Sequence, residues 1–174
     1  MESAHDQRPA NDLTILLAGL QAGMVAAFWM LVWLGISAMW MRRSFWSPAN
    51  VMATALHGDR AIHPSFAGTT PSGIALYLVI YSLLGAVFAF TVRRRLTGLG
   101  TLLVSLLFSL IWYWLWFRVL ALRTMPLVWL LHTERSTQFG HVVFGALLAR
   151  FGDYLPRPVV VAEVPVAVQA EAAD

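Results

Sequence analysis

The sequence contains no cysteine, no lysine and little charge of either sign. Without cysteine there are no disulfides, no thiolate metal sites and no cysteine nucleophile. Charged residues make up 12% of the chain, about half the usual share of a soluble domain, which is roughly 25%. The nine acidic residues lie between or outside the long apolar runs. A charge at mid-bilayer costs about 2.5–3.5 kcal/mol on insertion scales, so charges that avoid apolar runs mark an integral membrane protein. The twelve basic residues are all arginine and give a net charge of +3. They flank apolar segments instead of forming one patch, which favours anionic lipid headgroups over nucleic acid as the partner.

Several catalytic signatures are also missing. No GxSxG, P-loop, GxGxxG, HxxxH or HExxH pattern occurs, and no carboxylates pair inside an apolar run. Zinc, di-iron and nucleotide chemistry therefore have no sequence support. The expectation is a protein that is not an enzyme and carries no cofactor.

What the chain does have is apolar length. Hydrophobic residues make up 59% of it, with a mean hydropathy of +0.67. Four segments read as spanning helices, at about 13–41, 71–92, 99–122 and 137–154. At 1.5 Å per residue the first is about 43 Å long, more than a hydrocarbon layer of about 30 Å. It is too long, and too acidic at its start, for a cleaved signal peptide. Asn11 and Asp12 are N-cap candidates for it, and Thr70 with Pro71 for the second span. The fourth is the shortest, and Arg150 within it must reach back to the interface.

Between the first two spans, SPANVMATALHG predicts a short amphipathic helix over 48–57, lying in the membrane interface. Its expected apolar face is Val51, Met52, Ala55 and Leu56, with Asn50, Thr54 and His57 opposite. A second interfacial segment starts at Pro126. Residues 1–12 form a polar N-terminal segment, and the Pro/Val/Ala-rich tail 156–174 lacks helical patterning. The expected architecture is an all-α four-transmembrane-helix bundle over 13–155. Arginines divide six against six between the two sides. Arg93, Arg94 and Arg95 in a very short loop are the strongest determinant, and they place both termini in the cytoplasm of a bacterial inner membrane.

Five aromatics fall within 112–117: Trp112, Tyr113, Trp114, Trp116 and Phe117. With Arg118 and the triple arginine, Trp112, Trp114 and Trp116 suit an interfacial anchor belt, and Trp114 can meet Arg118 one turn on. The alternative is a stacking wall for a pigment, quinone or haem. Thr101, Ser105, Ser109 and Tyr113 recur every four residues as a polar stripe. Small hydroxyl residues let helices approach and bond, and the same stripe could instead line a hydrophilic path. Gly19, Gly23 and Ala27 form a small-xxx-small face, as do Gly85 with Ala89 and Gly145 with Ala149.

Trp29, Trp33, Tyr77 and Tyr81 each need a hydrogen-bond partner inside the spans. His141 is the histidine within a predicted span. Together with His57 or His63 it is the candidate set for haem ligation, and Ser105 or Ser109 beside it is a conceivable nucleophile pair. These readings favour a non-catalytic accessory, structural or assembly subunit, bound to other membrane subunits or to itself. The alternatives are a small transporter or channel built by oligomerisation, and a haem- or pigment-binding electron-transfer subunit.

Overall fold

The computed structural model describes residues 11–92, 98–124, 127 and 133–155. Among them all regular structure is helical. Helix α1 is Asp12–Trp40 and α2 is Ser47–His57, followed by a 3-10 turn, Gly58–Ala61. Helix α3 is Thr70–Val92. Helix α4, Gly98–Leu115, runs on through a π-helical turn, Trp116–Leu120, and a last α-helical turn, Ala121–Thr124. Helix α5, Glu134–Leu148, ends in a 3-10 segment, Ala149–Tyr154. Arg93, Arg94 and Arg95, nearly all of the segment from Pro126 to His132, and the tail from 156 lie outside the described residues.

Three helices are long and apolar enough to cross a membrane: Asp12–Trp40, Thr70–Val92 and Gly98–Leu120. The fourth expected span is a different object. Its α-helix has 15 residues, about 22 Å of rise, against a hydrocarbon layer of about 30 Å. It starts three residues earlier than expected, at Glu134, and gives way to a 3-10 segment at Ala149. Of the expected 137–154 only 137–148 is α-helical, and the rest is the 3-10 segment.

Neighbouring helices run antiparallel. Gly19 and Gly23 of α1 face Ala89, Gly85 and Tyr81 of α3 in reverse order. Trp33 and Ser37 of α1 meet Ser136 of α5, and Ser105 and Ser109 of α4 meet Gly145 and His141 of α5. Helix α1 therefore sits between α3 and α5, and α4 lies against α5. The α1–α3 seam works by backbone approach. A methyl group built on Gly19 would lie 2.7 Å from the Gly85 carbonyl oxygen, and one on Gly23 would lie 2.6 Å from that of Tyr81. In lipid such approach replaces the hydrophobic effect as the source of helix association.

Helix α2 packs on α3 rather than standing apart, with Gly73 directly against the Ala49 carbonyl. Its expected faces are partly exchanged. Asn50 is buried, while Ala55 and Leu56 are exposed. The Asn50 amide donates to the carbonyls of His63 and Ser65, both at 2.9 Å, and its oxygen accepts from the Thr70 hydroxyl at 2.6 Å. A buried amide is tolerated when every bond is made, and these bonds tie the loop before α3 to α2. Thr70 thus uses its hydroxyl on Asn50 instead of capping α3. Asn11 occupies the N-cap of α1 with its backbone alone: its carbonyl accepts from Thr14 and Ile15.

Candidate functional site

The polar side chains of the long helices converge at mid-depth. The middle of α3 is Tyr81, the middle of the Gly98–Leu120 rod is Ser109, and both meet His141 of α5. His141 is fully buried. Its Nδ1 lies 2.8 Å from the Thr137 carbonyl oxygen, which can only accept, so the ring proton sits on Nδ1. Nε2 is left as the acceptor for the Tyr81 hydroxyl at 3.0 Å. Ser109 donates to the backbone carbonyl of His141 at 2.6 Å. One residue of α5 thereby bonds both α3 and α4.

Around this hub lie groups with unmet hydrogen-bonding capacity. The Tyr77 ring stacks on Tyr81 with centroids 4.5 Å apart. The Tyr77 hydroxyl and the Trp112 indole nitrogen are both buried without a hydrogen-bond partner. Phe144 closes the cluster edge-on to Tyr81. Trp33, in contrast, is satisfied: its indole donates to the Ser136 carbonyl at 3.0 Å. Trp29 faces outward, edge-on to Phe28.

The hydroxyl stripe of α4 is the face turned to α5. Thr101, Ser105, Ser109 and Tyr113 are all buried, and a methyl group on Gly145 would come within 2.9 Å of the Ser105 carbonyl. The stripe is thus occupied by a helix and is not on an outer surface, where an oligomeric path would need it. Ala149, four residues beyond Gly145, is only partly buried at the start of the 3-10 segment, whereas Ala27 on α1 is fully buried. The two serines do different work. Ser105 bonds the Leu102 carbonyl of its own helix at 2.9 Å, while Ser109 bonds across to α5. Ser109→Ala is therefore expected to destabilise the bundle by about 0.6–1.7 kcal/mol, with Ser105→Ala close to neutral, as read by unfolding in mixed micelles.

The serine–histidine nucleophile pair does not form. Ser109 contacts the backbone of His141, not its ring, and Ser105 bonds within α4. Nor are the three haem candidates brought together. His57, at the end of α2, bonds Ser72 at 2.8 Å. His63 is exposed and gives its carbonyl to Asn50. Both ring nitrogens of His141 are engaged in the interior. Among the described residues no group of three or more His, Asp or Glu is placed to hold a metal.

The aromatic run divides by helical position. Trp114 is 60% exposed, as an interfacial anchor requires. Trp112 and Trp116 are half-buried and stacked at 6.1 Å, and Trp112 turns its indole nitrogen inward. Arg118 is held by Glu134 at 2.7 Å, with the Tyr113 hydroxyl 3.5 Å from the same oxygen. This ion pair joins the far end of α4 to the start of α5, and sequence reading missed it because Glu134 lies 16 residues away. At the same end, a small half-open pocket of about 30 Å³ is lined in part by Ser37, Arg43, Ser47, Ser136 and Thr137, large enough to admit water.

This arrangement defines a class: a protein helical throughout its described regular structure, with three helices able to cross a membrane and a buried histidine bonded to two of them. Compared with known proteins, the chain matches no family model, no curated sequence and no solved structure.

Proposed function

We propose that this chain is a non-catalytic membrane subunit, an accessory or assembly component of a larger complex or of a homo-oligomer. In this reading α1, α3 and α4 cross a bacterial inner membrane with both termini cytoplasmic, and α5 packs beside them as a fourth, shorter membrane element. The observation that carries the proposal is the sidedness of the helices. The outward positions in the middle of two of them are apolar: Val79, Leu83 and Val87 on α3, and Leu103, Leu107 and Ile111 on α4. Some interior polar groups join helices, above all His141, whose ring nitrogens are committed to Thr137 of its own helix and Tyr81 of α3. Such a chain offers surface and rigidity to neighbours.

Gentle solubilisation followed by native mass spectrometry tests this. The expected result is a species heavier than the 19.3 kDa chain whose other components are lost when the chain is deleted. A chain that always leaves the membrane alone, and that turns over a substrate by itself, would contradict the proposal.

A further inference from the structure

Gln21 is an exposed polar side chain on an otherwise apolar helix face. Its depth follows from packing. Its near neighbour Gly23 lies against the backbone of Tyr81, the midpoint of the 23-residue helix α3, which is about 35 Å long and matches a bilayer core. Gln21 is two residues away, about 3 Å along the axis, so it stands near the level of Tyr81, Ser109 and His141. Its carboxamide has no partner among the described residues. Facing lipid tails, an unbonded amide is strongly disfavoured.

The neighbours of Gln21 have a pattern. Thr14, Leu17, Gln21, Met24, Phe28 and Leu31 follow alternating steps of three and four, the spacing of a left-handed helix–helix seam. Leu17, Met24 and Phe28 are 55%, 50% and 53% exposed, and Thr14 and Leu31 are part-exposed. The opposite side of α1 is filled by α3 and α5, so Leu17, Gln21, Met24 and Phe28 lie on the face of α1 that no described helix covers, bordered by the exposed Val25 and Trp29, while Leu31 at the end of the seam also touches the core.

We infer that the Thr14–Leu31 seam of α1 is the contact surface for a second copy of this chain, in a parallel dimer whose two Gln21 amides bond across the twofold axis. Two features select a second copy. A carboxamide is both donor and acceptor, so it is complementary to itself. Copies inserted in one orientation, related by an axis along the membrane normal, also place their Gln21 residues at one depth. A single polar residue within such a seam fixes register and partner number. The inference rests on the membrane-embedded reading above and names the partner for its homo-oligomeric form.

Because the chain has no cysteine, single thiols report on the seam directly. Leu17→Cys, Met24→Cys and Phe28→Cys, each in the full-length protein in native membranes and in lipid vesicles, are expected to cross-link on oxidation to a product of twice the chain mass. Leu83→Cys and Leu107→Cys, exposed on α3 and α4, are expected to give little. Adding Gln21→Leu to Leu17→Cys should weaken dimerisation roughly five- to thirty-fold, the range for an interhelical bond in a bilayer, and Gln21→Asn should restore most of it. Gln21 is exposed, so neither change burdens the folded monomer.

Equal cross-linking at all five positions, no product above the controls (a face covered by lipid alone), a product of some other mass (a different protein), or indifference to Gln21→Leu would each overturn the dimer. All of these would leave the membrane reading standing. Release of the unmodified chain from membranes by alkaline wash would instead remove the membrane reading, and the dimer with it.

Discussion

Gly85→Leu is expected to prevent assembly of α1 with α3, at a cost of at least about 3 kcal/mol. Overpacking usually costs 1–3 kcal/mol, because side chains at the new contact can shift. Here there is little to shift. A first methyl group on Gly85 would come within 2.6 Å of the Gly23 Cα and closer still to the Gly19 carbonyl oxygen. Both are backbone atoms of the facing helix, so the helices themselves must separate. That loosens the most extensive contact in the bundle and uncovers Ala22 and Ala26, which are now buried. Gly98→Ala is the matched control: an added methyl there meets nothing within 4 Å, and stability should hold or rise slightly, since alanine is the better helix former. Unfolding in mixed micelles, followed by circular dichroism, measures both.

The second large effect is expected at His141. His141→Phe keeps a ring of similar size but removes the acceptor of the Tyr81 hydroxyl, leaving that group buried and unbonded among Tyr77, Trp112 and Phe144. The expected loss is about 2–3 kcal/mol, combining a lost bond with an unsatisfied polar group. Tyr81→Phe in the same chain removes the stranded hydroxyl. The double variant is therefore expected to be about 1 kcal/mol more stable than the sum of the two single losses predicts, within the coupling range for residues in contact. Strict additivity would mean that the 3.0 Å contact between the two rings contributes nothing. The cycle also separates a structural histidine from one reserved for a ligand, because a ligand-binding residue has no reason to be coupled to Tyr81 in the empty protein.

Some of this architecture can be read from residue pattern and some cannot, for identifiable reasons. Glycines at 19, 23 and 85 stand where two backbones touch, and only the smallest residue fits there, so spacing alone exposes them as candidates. Which glycine faces which is a matter of tertiary register, and periodicity carries no record of it. The hydroxyl stripe at 101, 105, 109 and 113 is visible as a repeat of four, but its occupant, α5, is not, because α5 meets it from about 20–40 residues further along the chain. Helical patterning assumes that Asn50 lies on the face of α2 opposite Val51, Met52, Ala55 and Leu56. Three bonds from the following loop and from Thr70 overturn that assumption, and they come from an irregular segment that helical patterning cannot describe. The expected fourth span extends too far because Ala149, Phe151 and Tyr154 carry apolar character past Leu148, while the backbone leaves α-helical geometry at Ala149. Position within a span alone makes His141 a candidate. Its engagement with Tyr81, Thr137 and Ser109 turns it from a possible ligand into a joint between helices.

The central claim is that α1, α3 and α4 cross a lipid bilayer in alternating directions. Single cysteines at Asn11, Ser65 and Gly98, probed in sealed vesicles with a membrane-impermeant maleimide, test it directly. Asn11 precedes α1, Ser65 lies between α2 and α3, and Gly98 begins α4. The account predicts that Asn11→Cys and Gly98→Cys react from one side of the membrane and Ser65→Cys only from the other. Labelling of all three from the same side, without permeabilisation, would contradict it.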